Sequence, residues 1–189
     1  MGHIQKVSSY LLWVFNIMLI MIPLLAISYW GLIEWAPFKQ FIAQGLIIDK
    51  PIETPEGLVN ISNLKLTPLS RGIGIFGSLF CSVPLFLGIV ILKRLFQNYK
   101  KGNIFSFENV QNYKYLGWLL FLDALFVKPI SNMMMVLAAT LSNPTGHRYI
   151  SVSFGTPNLE DLFWGVLVIV ISWVMAEGYK LQEDQSLTV

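Results

Sequence analysis

The chain has 189 residues, of which only 13% are charged, with a formal net charge of +2 and a mean hydropathy of +0.60. So small a positive excess gives no argument for nucleic-acid binding, and the length leaves no room for a separate soluble domain beside the apolar runs. The one cysteine, Cys81, excludes an internal disulfide and reads as a small apolar residue.

Four apolar runs dominate the chain, at about 10–33, 73–96, 115–141 and 162–178. Each is near the ~20 residues that cross ~30 Å of hydrocarbon at 1.5 Å per residue. Backbone in lipid must satisfy its own hydrogen bonds, so the runs predict helices. The expected fold is an all-α membrane protein: a four-transmembrane-helix bundle with a short interfacial helix and a small extracytoplasmic β cap, in one domain over 1–189. The first run could be mistaken for a secretory signal, with Lys6 before it and Ala26-Ile27-Ser28 as a cleavage site. Apolar character continues through Tyr29, Trp30, Leu32 and Ile33, so the expectation is an uncleaved first span.

In the connection after the first run, Pro37 opens and Gly45 closes a segment with Phe38, Phe41 and Ile42 on one face. This pattern predicts the short interfacial helix. Residues 57–67 (Leu58, Ile61, Leu64, Leu66) and 148–154 have strand-like composition, and they are expected to pair as the antiparallel cap. Asn60-Ile61-Ser62 is a glycosylation sequon only in a eukaryotic secretory setting.

The second run opens with Gly72-Ile73-Gly74-Ile75-Phe76-Gly77, formally a G-x-G-x-x-G. A dinucleotide site needs this motif between a strand and an amphipathic helix. Here it opens a membrane span, so the glycines read as packing residues. Gly74, Ser78 and Ser82 recur every four residues, as do Gly77 and Cys81, which predicts close approach by a neighbouring element. Pro84 is expected to kink the span.

The connection between runs two and three holds Lys93, Arg94, Lys100, Lys101 and Lys114 near helix ends. With Lys6 and Lys180, that side carries seven basic residues, against five (Lys39, Lys50, Lys65, Arg71, Arg148) on the other. The positive-inside rule then places 1–9, 97–114 and 179–189 in the cytoplasm, and 34–72 and 142–159 outside. Gly102 and Asn103 suit a left-handed helix end, Ser106 an N-cap, and Glu108 a first helical turn.

The third run contains Asp123, about nine residues or ~13 Å deep, with Lys128 and Pro129 beyond it. Ionisable groups at such depth cost at least ~2.5 kcal/mol each and must face protein, water or a partner. On an ideal α-helix Asp123 and Lys128 stand about 140° apart, which disfavours a pair unless the proline distorts the backbone. Asn16 and Asn132 are candidate neutral partners, completing a candidate intramembrane polar site of Asp123, Lys128, Asn16 and Asn132. The alternative is an interhelical polar lock with Lys128 snorkelling. Met133, Met134 and Met135 fan around a helix and read as packing.

No nucleophile–base set is visible. His3 and His147 have no partner at ligand spacing, so no catalytic residues, metal site or cofactor are expected. The chain closes on a short polar tail, 177–189, expected to be exposed.

Two segments resemble a known family. Lys101-Gly102-x-Ile104-Phe105-Ser106 followed by Asn109-Val110 is similar to the signature of domain-of-unknown-function family 2975. So is Ala176-Glu177-Gly178 followed by Leu181-Gln182-Glu183-Asp184-Gln185 and Leu187-Thr188-Val189. The resemblance covers runs two to four and both segments, and implies a small four-span protein of the bacterial inner membrane. Members are often encoded beside a small helix-turn-helix regulator. By that analogy, Lys100, Lys101, Gly102, Phe105, Ser106, Glu108, Gln182, Glu183 and Asp184 form a candidate surface for a cytoplasmic regulatory protein. The expected function is then a non-enzymatic regulator or sensor in the lipid bilayer, with no direct contact to nucleic acid. The alternative is binding or transport of a lipid, ion or small apolar ligand around Asp123, for which so short a chain would act as a homo-oligomer or simple channel.

Overall fold

A computed structural model describes residues 2–47, 51–54, 57–142 and 159–187. Helix α1 spans His3–Leu32 and α2 spans Ala36–Ala43. Strands β1 (Ile52–Thr54) and β2 (Gly57–Val59) and a single 3₁₀ turn, Ile61–Asn63, lead to α3, Pro68–Lys100. Helix α4 (Phe107–Leu122) passes through a π-helical segment, Asp123–Val127, into α5 (Lys128–Thr140). Helix α6 covers Leu159–Leu187. Four helical stretches, α1, α3, α4 with α5, and α6, are long and apolar enough to cross a membrane. Trp13, Ile20, Leu24 and Leu25 of α1 and Phe163, Trp164, Trp173 and Val174 of α6 are exposed. Such apolar surface belongs in lipid rather than water.

The sequence signals for helix ends act as expected at several points. Pro37 stands at the start of α2, and Gly45 follows its end at φ +72°. There Leu46 N–H donates to Phe41 O and Gly45 N–H to Ile42 O, the paired bonds of a Schellman stop. Helix α3 runs on through Pro84. Its start is capped by Thr67, whose Oγ1 accepts the Ser70 N–H at 3.1 Å.

The β element differs from expectation. Strand β2 covers only the first residues of the expected 57–67 strand, and it pairs antiparallel with β1, Ile52 opposite Val59. Both strands lie within one connection and form a local hairpin. The segment 148–154 and His147 lie outside the described residues. The polar tail is exposed over Lys180–Gln185, as expected, and it is helical, because α6 continues to Leu187. Leu, Gln and Glu are good helix formers, and a helix already nucleated in the membrane extends through them at little cost.

The π segment alters the geometry assumed for the third span. Pro129 has no N–H to offer the carbonyl of Leu125, and its ring crowds that oxygen. The chain widens to i→i+5 bonding over Asp123–Val127. The 140° separation worked out for an ideal α-helix therefore does not apply between Asp123 and Lys128.

The chain divides into two compact units. The first comprises Met1–Met21, Val83–Leu125 and Thr156–Val189. In it α4 and α6 pack closely through glycine: a Cβ on Gly165 would meet the backbone N of Phe121 at 2.8 Å, and one on Gly117 would meet the backbone N of Ile169 at 2.8 Å. The second comprises Ile22–Ser82 and Phe126–Gly155. Its core gathers Trp30, Ile33, Ile52, Ile61, Leu66, Val136, Ala138 and Ala139.

Candidate functional site

In the first unit, the connection between α3 and α4 is a tightly bonded turn. Gly102 adopts φ +86°, and Asn103 N–H donates to Asn98 O while Gly102 N–H donates to Tyr99 O. This is a second Schellman stop, and the left-handed residue it needs is the glycine. Ser106 then caps α4, its Oγ accepting the Asn109 N–H at 3.3 Å. The fully buried Asn109 side chain locks the turn from inside. Its Nδ2 donates to Asn103 O and Ile104 O at 2.8 and 2.9 Å, and its Oδ1 accepts from Asn98 Nδ2 at 2.8 Å. The hydroxyls of Tyr99 and Tyr113 bridge the two helices at 2.8 Å.

The end of α6 lies against this turn. A Cβ on Gly178 would sit 2.8 Å from ring atoms of Phe105, so only glycine leaves room for that ring. The rings of Phe107 and Tyr179 are 6.3 Å apart. Two segments about 75 residues apart in sequence thus form one surface. Lys100, Lys101, Gly102, Phe105 and Glu108 are exposed there, as are Gln182, Glu183 and Asp184 on α6. Ser106 is half-buried and engaged in capping.

The second unit holds an open cavity of about 450 Å³. Tyr29, Trp30, Pro51, Ile52, Ile61 and Met135 line it with apolar surface, and Ser78, Cys81, Lys128, Ser131 and Asn132 add polar groups. Trp30, 1% exposed, explains the small-residue stripe of α3. Its ring lies on Gly74, where a Cβ would come within 2.1 Å, and its Nε1 donates to Ser78 Oγ at 2.7 Å. The element that approaches those small residues is an indole. Gly77 accommodates Met134, and its carbonyl accepts from Ser131 Oγ at 3.1 Å. The three methionines do fan out: Met133 is exposed, Met134 meets Gly77 and Met135 lines the cavity.

The polar residues of the membrane runs are therefore divided. Lys128 and Asn132 line the cavity together. Asp123, half-buried, opens the π segment in the first unit. Asn16 is exposed on the α1 face that also carries Trp13, Ile17 and Ile20, positions of one helical stripe. Among the described residues no group of three or more His, Cys, Asp or Glu is placed to hold a metal.

Sequence reasoning missed several of these features. The Asn98–Asn109 lock had one signal, Asn109 within the family-like motif. The Trp30 seat had none, because a tryptophan at the end of an apolar run reads equally well as an interface residue. Just beyond α1, Glu34 pairs with Arg71 of α3, and its Oε1 accepts the Leu66 N–H at 3.3 Å. The Arg71 guanidinium holds the Glu34 carboxyl below the usual carboxylate range. In the sequence these two were simply opposite charges in one connection.

Neither curated proteins nor solved structures offer a match to this chain. A family profile does match it, described as "Protein of unknown function (DUF2975)", over residues 8–189. That span takes in both motif-bearing segments, the locked turn and the Gly178 contact, and the chain belongs to the DUF2975 family of proteins of unknown function.

Proposed function

We propose that this protein is a non-enzymatic regulator or sensor of the bacterial inner membrane that engages a soluble cytoplasmic protein. The partner surface is the α3–α4 turn together with the end of α6, both facing the cytoplasm with the termini. One observation carries this reading: Phe105 against Gly178 holds two distant polar segments as a single, pre-shaped face. A face ordered before binding loses little entropy on association. The basic residues Lys93, Arg94, Lys100, Lys101 and Lys114 support the cytoplasmic assignment. A small helix-turn-helix regulator, the kind of partner the family resemblance implies, is the first to test. Its binding to the full-length protein in nanodiscs should fall on K100E/K101E and persist on K39E, which alters the other connection. Equal binding by both variants would refute the surface assignment.

A second reading, binding or transport through a polar site around Asp123, is favoured by the π segment that begins there, since such segments concentrate at functional positions. Asp123→Asn with full stability and full function removes it.

A further inference from the structure

We infer that the groove between α3 and α4 holds one acyl chain of an anionic glycerophospholipid, with the lipid's phosphate on Arg94. The groove lies wholly within the first unit, separate from the partner surface, and has a volume of about 320 Å³. On α3 it is lined by Leu87, Val90, Ile91 and Arg94, and on α4 by Tyr115, Trp118, Leu119 and Leu122. Both sets follow the i, i+3, i+4, i+7 spacing of one helix face, so two continuous stripes form the walls. Asn98 bonds to Asn109, and a Cβ on Gly88 would lie 3.6 Å from Leu116, which fixes the antiparallel register. Arg94 and Tyr115 therefore mark the end nearest the α3–α4 turn, and Leu87 and Leu122 the other. From Arg94 to Leu87 is seven residues, or ~10 Å at helical rise. That fits within one leaflet, ~15 Å or half of the ~30 Å of hydrocarbon, so the occupant is a lipid of one leaflet.

Leu87, Tyr115, Trp118 and Leu122 are exposed, so the groove is open along its length. Tyr115 and Trp118 are amphipathic rings of the kind that settle at headgroup level, which puts Arg94 at the depth of the phosphates. Charge then chooses among the lipids. Arg94 is the one charged residue of the lining, and it is exposed. Its side chain makes no hydrogen bond or ion pair among the described residues. Lys114, beside Tyr115, and Lys100 and Lys101, beyond Arg94, are exposed as well. Glu108, the one carboxylate on these two helices, stands seven residues before Tyr115 and outside the lining, and Asp123 follows Leu122 at the opposite end. A guanidinium can hold phosphate through two parallel hydrogen bonds. Every phospholipid offers a phosphate, but basic groups around it repel a choline or ethanolamine head and attract a net negative one.

The test uses full-length protein in phosphatidylcholine nanodiscs with a small share of phosphatidylglycerol bearing a diazirine in one acyl chain. Adducts mapped by mass spectrometry are expected on Ile91, Leu119 and Leu122, and unlabelled phosphatidylglycerol should remove them. Labelled phosphatidylcholine at the same share should give about tenfold fewer there, the ratio of one lost charged hydrogen bond. Arg94→Gln should bring the phosphatidylglycerol adducts down to that level. Arg94→Lys keeps the charge without the paired bonds and should fall between. Leu87→Trp tests the wall apart from the charge, because Leu87 is exposed and a larger ring there narrows the groove without entering a packed core. It should lose the adducts on Ile91 and Leu119. Background adducts on the exposed faces of α1 and α6 should be the same in every variant, which separates loss of the site from loss of the fold. Equal groove labelling by the two lipids, an unchanged preference in Arg94→Gln, or full groove labelling in Leu87→Trp would each overturn the inference.

Discussion

Replacing Gly74 by alanine should destabilise the second unit through Trp30 and nothing else. The new Cβ would lie 2.1 Å from the nearest indole carbon. Carbon pairs settle at ~3.5 Å or more, so the ring must retreat by about 1.4 Å. Trp30 is 1% exposed and packed against the core of its unit, so a retreat breaks contacts on its other side. The same retreat would stretch the 2.7 Å bond from Nε1 to Ser78 Oγ beyond hydrogen-bond range. Overpacking costs about 1–3 kcal/mol and the lost bond about 0.5–1.5 kcal/mol. Against that, alanine is better than glycine inside a helix by about 1 kcal/mol. The net expectation is a loss of about 1–3 kcal/mol. In a Trp30→Ala background the clash and the bond are both absent, so Gly74→Ala should there be neutral or stabilising. Reversible unfolding in mixed micelles, run as a double-mutant cycle, should give a coupling of about 2 kcal/mol or more. A coupling near zero would mean that the indole does not occupy Gly74, and the account of the α3 stripe would fail.

Asn109→Ala strands Asn98 Nδ2 and two turn carbonyls, and should cost about 1–3 kcal/mol, with faster proteolysis between α3 and α4; unchanged proteolysis would count against the lock. Glu34 has its carboxyl pKa depressed by Arg71, so the pair's contribution is present above the ordinary value of 4.5 and is lost as pH falls through the lower folded value. Unfolding measured across that acid range should show a pH slope that Glu34→Gln removes, and an identical slope in both proteins would contradict the pairing. Gly165→Val would drive a side chain into the Phe121 backbone at 2.8 Å, which cannot swing away. It should separate α4 from α6 at a cost of about 1–3 kcal/mol, read by crosslinking between cysteines placed on the two helices.

What could be read from the sequence was local chemistry. The starts and stops of α2, α3 and α4 rest on Pro37, Gly45, Gly102 and Ser106, each acting through its own backbone or the next turn. The stripe of Gly74 and Ser78 announced a close approach, yet not by what. Its occupant lies 44 residues away, and no periodicity encodes such a pairing. Pro129 announced a distortion, but a proline signals a kink, a break or a π turn alike. The exposure of the polar tail was legible, whereas its helical form rests on the propensity of Leu, Gln and Glu, to which polarity is no guide. The cavity was invisible for the same reason as the Trp30 seat: its walls come from α1, the hairpin connection, α3 and α5.

The residues that carry the family resemblance now divide into two groups. Gly102, Ser106, Asn109 and Gly178 serve the turn itself, as helix stop, cap, internal lock and seat for Phe105. Their side chains have little left to offer a partner. Lys100, Lys101, Glu108, Gln182, Glu183 and Asp184 are exposed on the face that those residues build. Loss of partner binding in a Gly178 or Asn109 variant would therefore report a changed shape, and would accompany lower stability. A change of charge at Lys100 and Lys101 should leave stability within about 0.5 kcal/mol, as surface substitutions do, while weakening the partner's association and its salt dependence. If binding followed stability across both groups of variants, the turn would be a structural element alone, and recognition would have to lie elsewhere on the protein.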